Sequence, residues 1–394
     1  MNPQVFEVPP RWWSPMLNGF WWRFWYFLRS RIQHKVQRVV EIELRGLDNL
    51  QNAVKDGQGV LITANHSCHA DPLVVYKAAE RTGTGFYFMA AWQVFARENV
   101  LVRLILRQHG VFSVDREGTD MRAFRQGVDI LQNGCNPLVI FPEGEVYHIN
   151  DKVMPFREGA AAIAITAVKK SKRPVVCLPC GIKYQYLDDP TSELVELMGE
   201  LEEQILWRRR DDVPLTERIY KFAEGALGLK ELEYLGHTQS GGLPERIKVL
   251  SEKILSGLEE FYGIRGDRAN LPERVKAVRR EAIKQLGESR EDLQEGARLA
   301  LGDLFVVTQL FSYPGDYVAH KPTIERMAET LDKFEEDVFK VPTATVRGRR
   351  RAVISFGKAI EVERGKDKKR AIHRLTELLE ERVQGLLDGI SDGG

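Results

Sequence analysis

The residues best placed by type and spacing to do chemistry lie in one short run, Asn65-His66-Ser67-Cys68-His69-Ala70-Asp71. His66 and Asp71 stand five residues apart, too far for one ideal helical face, so a turn must bring them together. A carboxylate bonded to one imidazole nitrogen fixes the tautomer and stabilises the imidazolium. The other nitrogen is then able to take a proton from a hydroxyl. The alternative is that Asp71 merely caps the helix beginning at Pro72. Arg116, at the end of an apolar run, offers a planar fork for a phosphate or an ion pair with a neighbour such as Asp115. Glu143, in Phe141-Pro142-Glu143-Gly144, is able to accept from a hydroxyl or orient a basic residue, and Gly144 lets backbone approach a ligand. An ordinary strand-ending turn is the other reading of that block.

These groups need a scaffold, and the pattern from about residue 40 supplies one. Short apolar runs at 59–64, 85–91, 111–114, 137–141 and 174–178 read as buried strands. Helical spacing fills 72–82, 119–132 and 159–168 between them. Such alternation predicts an α/β fold, a central mixed sheet flanked by helices, with the His66 turn at the carboxyl end of the first of these strands. Composition shifts after Asp189: from Thr191 to Lys340 there are 30 Asp and Glu against 22 Lys and Arg, with helical periodicity throughout. Residues 347–362 return to strand-like sequence, 367–387 close as an amphipathic helix, and 388–394 read as a frayed end.

Five of the seven tryptophans fall between Trp12 and Trp25, and Arg29, Arg31, Lys35 and Arg38 follow them. Aromatic rings favour the headgroup level of a bilayer and cations favour anionic lipid, so this arm predicts an interfacial helix. An arm packed on the protein's own core, or a dimer contact, is the competing reading. No run approaches the roughly 18 apolar residues that a span requires. The N-terminus does not read as a cleavable signal, since Trp12 and Trp13 stand where charges belong. The expected location is the cytoplasmic face of a membrane, as a peripheral or monotopic protein.

Taken together the blocks resemble the glycerolipid acyltransferase family, the 1-acylglycerol-3-phosphate (lysophosphatidate) acyltransferases and their relatives. Asn65, His66 and Asp71 match that family's Asn-His-four-residues-Asp block. Gly110 to Arg116 match its Gly-apolar-Asp-Arg block, Phe141 to Gly144 its Phe-Pro-Glu-Gly block, and Val175 to Pro179 its proline-bearing strand. The resemblance covers roughly residues 40–187. It implies His66 and Asp71 as catalytic residues, and Asn65, Arg116, Glu143, Gly144 and Arg157 as substrate-binding, Arg157 standing where relatives carry a lysine. It implies acyl-CoA or an acyl carrier protein thioester as co-substrate, membrane lipid as a partner, and no cofactor or metal. Two departures leave the acceptor open between lysophosphatidate, another lysolipid and glycerol 3-phosphate. Glu145-Val146-Tyr147 replaces the usual Thr-Arg-Ser, and Ala91 replaces a lysine.

With the aromatic and basic residues set apart as a membrane-interface arm (1–39), the resemblance frames the rest as the main acyltransferase part (40–189), a helical insertion (190–344) and a closing strand and helix (345–394). An appended helical domain is the alternative. Other chemistries are disfavoured. A net charge of +1 argues against a nucleic-acid coat, and the basic run Arg347, Arg349, Arg350, Arg351 with Lys366, Lys368, Lys369 and Arg370 lacks interleaved aromatics. Cys177 and Cys180 form a lone C-x-x-C on a buried strand, and four cysteines fit a reducing compartment. A non-catalytic membrane-binding scaffold and a transacylase between phospholipids are the rival functions. Oligomeric state is not legible.

Overall fold

The computed structural model describes residues 10–118, 120–264, 270–363 and 367–391. Residues 1–9 of the expected arm, Thr119 at the start of an expected helix, Lys366 of the basic run and residues 392–394 of the expected frayed end lie outside them. The chain divides into two compact units, one of residues 11–189 with 346–394 and one dominated by residues 190–345.

The first unit is built on an eight-stranded sheet: β1 (Val39–Arg45), β2 (Gly59–Ala64), β3 (Tyr87–Ala91), β4 (Val111–Val114), β5 (Leu138–Ile140), β6 (Val175–Tyr186), β7 (Arg350–Phe356) and β8 (Ile360–Glu361). Strand order is β1-β7-β6-β2-β5-β3-β4, with β8 beside β6. All pairs are parallel except those of β6 with β7 and β8. Central strands covered on both faces need unbroken apolar runs, and every residue of β2 is buried. One apolar layer lies on each face: Val60, Ile62 and Leu178 belong to one, Leu61, Leu138 and Cys177 to the other. The second layer is closed by Gly159–Lys170 and the C-terminal helix Lys368–Ser391. A Cβ on Gly181 would stand 2.9 Å from Leu386, so the glycine lets that helix lie close on β6.

Most expected strands and helices are present with ends shifted by a residue or two, but the closing helix runs on to Ser391 through part of the end expected to fray, the run 347–362 yields only Arg350–Phe356 and Ile360–Glu361, and the helices Trp92–Ala96 and Val100–Gln108 are additional. Two further features differ. β1 and the helix Leu47–Lys55 precede the first expected strand, and β6 runs on to Tyr186. The second difference matters for the site. β2 pairs with β6 only as far as Ala64 opposite Cys180. Beyond that point side-chain amides continue the ladder. Asn65 donates to the Ile182 carbonyl (2.9 Å) and accepts from its N–H (2.8 Å), and Asn150 does the same for Tyr184 (2.7 and 2.8 Å). A strand end that would otherwise leave four buried backbone groups open is thereby satisfied.

After β6 the chain leaves the sheet, and it returns through a short stem. Leu187 N–H donates to the Arg349 carbonyl at 2.8 Å, and the Arg349 guanidinium grips the Asp188 carboxylate at 2.8 and 2.9 Å.

The aromatic arm is not one interfacial helix. It forms two short helices, Gly19–Phe24 and Tyr26–Arg31, and a π-helical turn, Ile32–Val36. Trp13 stacks on Phe95 at 5.2 Å, and Trp22 and Arg29 are buried. Arg29, expected to serve lipid headgroups, instead pairs with Glu80 (2.9 Å) and meets His109 Nε2 (2.9 Å). Phe20, Trp21, Phe24, Tyr26 and Phe27 remain exposed.

The second unit is helical, from Thr191–Leu206 to Ile324–Phe339. Its apolar core gathers Leu250, Leu255, Val278, Leu304 and Val307. Ion pairs tie its helices: the buried pair Arg218 with Glu202 (2.8 Å), and the half-buried Arg246 with Glu231 (2.8 Å) and Arg274 with Glu259 (2.7 Å).

Candidate active site

The site begins where β2 ends. Because Asn65 is fixed to Ile182 at both amide atoms, the chain is held as it turns away from the sheet, and His66 is the next residue. Asp71 is the first residue of the helix Asp71–Thr82, whose flanking residue Ala70 makes no side-chain cap. Its carboxylate turns back instead. Oδ2 receives His66 Nδ1 at 2.8 Å and the Cys68 N–H at 3.0 Å, and Oδ1 receives the Tyr184 hydroxyl at 2.7 Å. The capping alternative is therefore excluded by where the oxygens point. A carboxylate only accepts, so Nδ1 carries the proton and Nε2 presents its lone pair. That nitrogen has no protein partner among the described residues, and 17% of the side chain is open to solvent. The ring stacks on Phe141 with centroids 4.3 Å apart, which fixes its plane.

Glu143 approaches from the other side. Its Oε1 accepts the backbone N–H of His66 at 2.9 Å. Burial pushes its carboxyl well above the usual range, assisted by the charge of Asp71, while N–H bonds from His66 and Met154 pull the other way. Glu143 thus supports the turn carrying His66. Gly144 follows with φ +80°, a conformation that suits glycine, and a Cβ there would stand 2.6 Å from the Arg157 guanidinium. Arg157 is held beside it by its own N–H on the Pro142 carbonyl at 2.9 Å.

Arg116 reaches this same turn. It bonds the Gly144 carbonyl and pairs with Glu145 at 2.9 Å. Burial works against its charge, and Glu145 and Glu117 more than offset that. The ion-pair partner is thus Glu145 rather than Asp115, which accepts the N–H of Glu117. One expectation needs correction. Asn65 was assigned to substrate, but both ends of its amide are engaged by Ile182 and the residue is wholly buried, so it positions the turn.

His66 is thus in direct contact with both Asp71 and Glu143, and Gly144, Arg157 and Arg116 form a second group joined to them through the Phe141–Gly144 turn. The arrangement is able to remove a proton from a hydroxyl at Nε2, with cationic groups on one flank. The family model for Acyltransferase matches residues 41–183, which include these six residues and Asn65. Residues 41–183 are an acyltransferase domain. The family is that of the glycerolipid acyltransferases, such as the lysophosphatidate acyltransferases. No match was found among curated proteins.

Three residues around His66 and Asp71 escaped sequence reasoning. Tyr184 lies just past the matched segment, and Arg350 enters from β7, its guanidinium 5.2 Å from the Tyr184 ring centroid. Asn150 holds Tyr184 by its backbone. A legible signal existed for Tyr184 alone: the alternation Ile182, Tyr184, Tyr186 continues the strand period past Pro179.

Proposed function

We propose that this acyltransferase moves a fatty acyl group from a thioester of coenzyme A or acyl carrier protein to the free hydroxyl of a lysophospholipid, with 1-acylglycerol 3-phosphate the leading acceptor, in phospholipid synthesis. The observation that carries this is the open Nε2 of His66, with Nδ1 held by Asp71 at 2.8 Å. Nε2 takes the hydroxyl proton as the oxygen attacks the thioester carbonyl. The C–S bond breaks, and the imidazolium returns the proton to the departing thiolate. Asp71 stabilises the imidazolium between these two transfers. No covalent acyl-enzyme is needed.

Arg116 and Arg157 would face the acceptor phosphate. Glu145 occupies Arg116, and this favours a second reading in which the acceptor is a lysolipid with no phosphate monoester. Membrane association at a cytoplasmic face rests on the exposed rings of Phe20, Trp21, Phe24 and Phe27. From Arg11 to Arg38 the sequence carries no acidic residue, which suits an anionic surface. No described helix is long and apolar enough to cross a bilayer.

The test is purified protein with labelled acyl-CoA and a panel of lysolipids and glycerol 3-phosphate. Acylated product that disappears in His66→Ala, with the fold intact by circular dichroism, is expected. Turnover near wild type in that variant would remove His66 from the chemistry. Preference for an acceptor without a phosphate monoester would select the second reading.

A further inference from the structure

Asp71 is a wholly buried carboxylate with three donors, and the third comes from a residue that the sequence did not single out. Tyr184 is itself 5% exposed, and both its backbone groups are bonded to the Asn150 side chain. Its opposite neighbour on β7 is Ala352. The Arg350 guanidinium stands over its ring and lies 4.0 Å from the Cys68 sulfur. The hydroxyl therefore has a fixed backbone and a fixed ring plane, and it aims at Oδ1 of Asp71, the oxygen that does not receive His66. A phenol held by packing alone does not need such an arrangement.

We propose that Tyr184 is a positioning residue that completes a His66–Asp71–Tyr184 relay, locking the rotation of the carboxylate and drawing charge from it, so that the basicity of His66 is set from β6. The proposal rests on the reading of His66 as the base. With both oxygens engaged, the carboxylate cannot swing about its terminal bond, and Oδ2 stays in line with Nδ1. A donor on Oδ1 also withdraws charge, so Asp71 stabilises the imidazolium less than a lone carboxylate would. The other titratable groups around the pair are Glu143, Cys68 and Cys180, with Arg350 as the fixed cation.

The test uses the full-length protein and two substitutions of opposite electronic sense. Tyr184→Phe keeps the ring and removes the donor. It should lower kcat about tenfold with both KM values unchanged, a size typical of one lost bond to a charged group. It should also move the acid limb of kcat/KM, and the titration of His66 followed by NMR, to higher pH. Fluorinated tyrosine at 184, a stronger donor, should move both to lower pH, and it decides the matter if the phenylalanine variant fails to fold. A His66 titration and acid limb that stay put in the folded variants would overturn the proposal and leave Tyr184 as packing. The NMR titration needs no turnover. If it shifts as expected while no acceptor is acylated by wild type, the proposed reaction fails and the relay stands.

Discussion

The two units bury polar groups for different ends. In the helical unit Arg218 and Glu202 are almost completely buried and meet through two bonds, of 2.8 and 3.1 Å, and Glu202 also accepts the Arg210 N–H. Donor matches acceptor, and no lone pair of that pair is aimed at a substrate. In the acyltransferase unit the bonds around Asp71 converge on His66, and one nitrogen is left over. The contrast separates two uses of a buried charge. A matched pair specifies how helices meet, and an unfinished network leaves a reactive atom where water is scarce.

Four measurements sharpen or break that contrast. The largest effect is expected from Asp71→Asn, which keeps the shape but offers His66 the wrong tautomer. Turnover should fall on the order of a thousandfold or more, with melting little changed. Loss of folding in step with activity would make Asp71 architectural after all. In the helical unit the expectation reverses. Glu202→Ala strands the Arg218 guanidinium with only the exposed Asp211 at 3.3 Å, and should cost about 3 kcal/mol in stability, read by chemical denaturation. Turnover per folded molecule should hold, and a selective loss of turnover would erase the distinction.

The third expectation concerns pH. His109 is held down to about 4 by burial, with Arg29 adding to the effect against a bond to the Ile105 carbonyl. The unfolded chain binds this proton near 6.5, so the stabilisation is complete above that pH and is lost as pH falls toward 4. Over that window wild type should lose about 3 kcal/mol relative to His109→Gln. Parallel acid profiles for the two proteins would refute it. The smallest effect on stability is expected at Phe27, 81% exposed. Phe27→Ser should alter melting by less than about 0.5 kcal/mol yet weaken flotation with anionic vesicles. Unchanged flotation would direct the search for membrane contact elsewhere.

Much of this was legible. The β-branched run Gly59–Ala64 has one sensible fate, and the spacing of His66 and Asp71 already called for the turn that brings them together. β1 was missed because Glu41, Glu43 and Arg45 interrupt its apolar residues, and it takes its place through its neighbour β7, more than three hundred residues away in sequence. The arm misled for another reason. Composition counts Trp22 and Arg29 with their neighbours, whereas helix rotation turns these two inward and leaves Phe24 and Phe27 outside. Tyr184 and Asn150 were illegible as a pair, since nothing local says that a side-chain amide will stand in for a missing strand.

The stem of Leu187, Asp188 and Arg349 has a consequence for how such a chain lengthens. Its bonds close the ends of the excursion at the sheet, so the core registers only that the ends meet, whatever lies between them. Closing a loop costs roughly 0.6 kcal/mol for each doubling of its length. Growing a turn of a few residues into the stretch 190–345 takes about five doublings, on the order of 3 kcal/mol, which one well-packed helix pair offsets. Insertion at this point is thus among the mildest the sheet could receive.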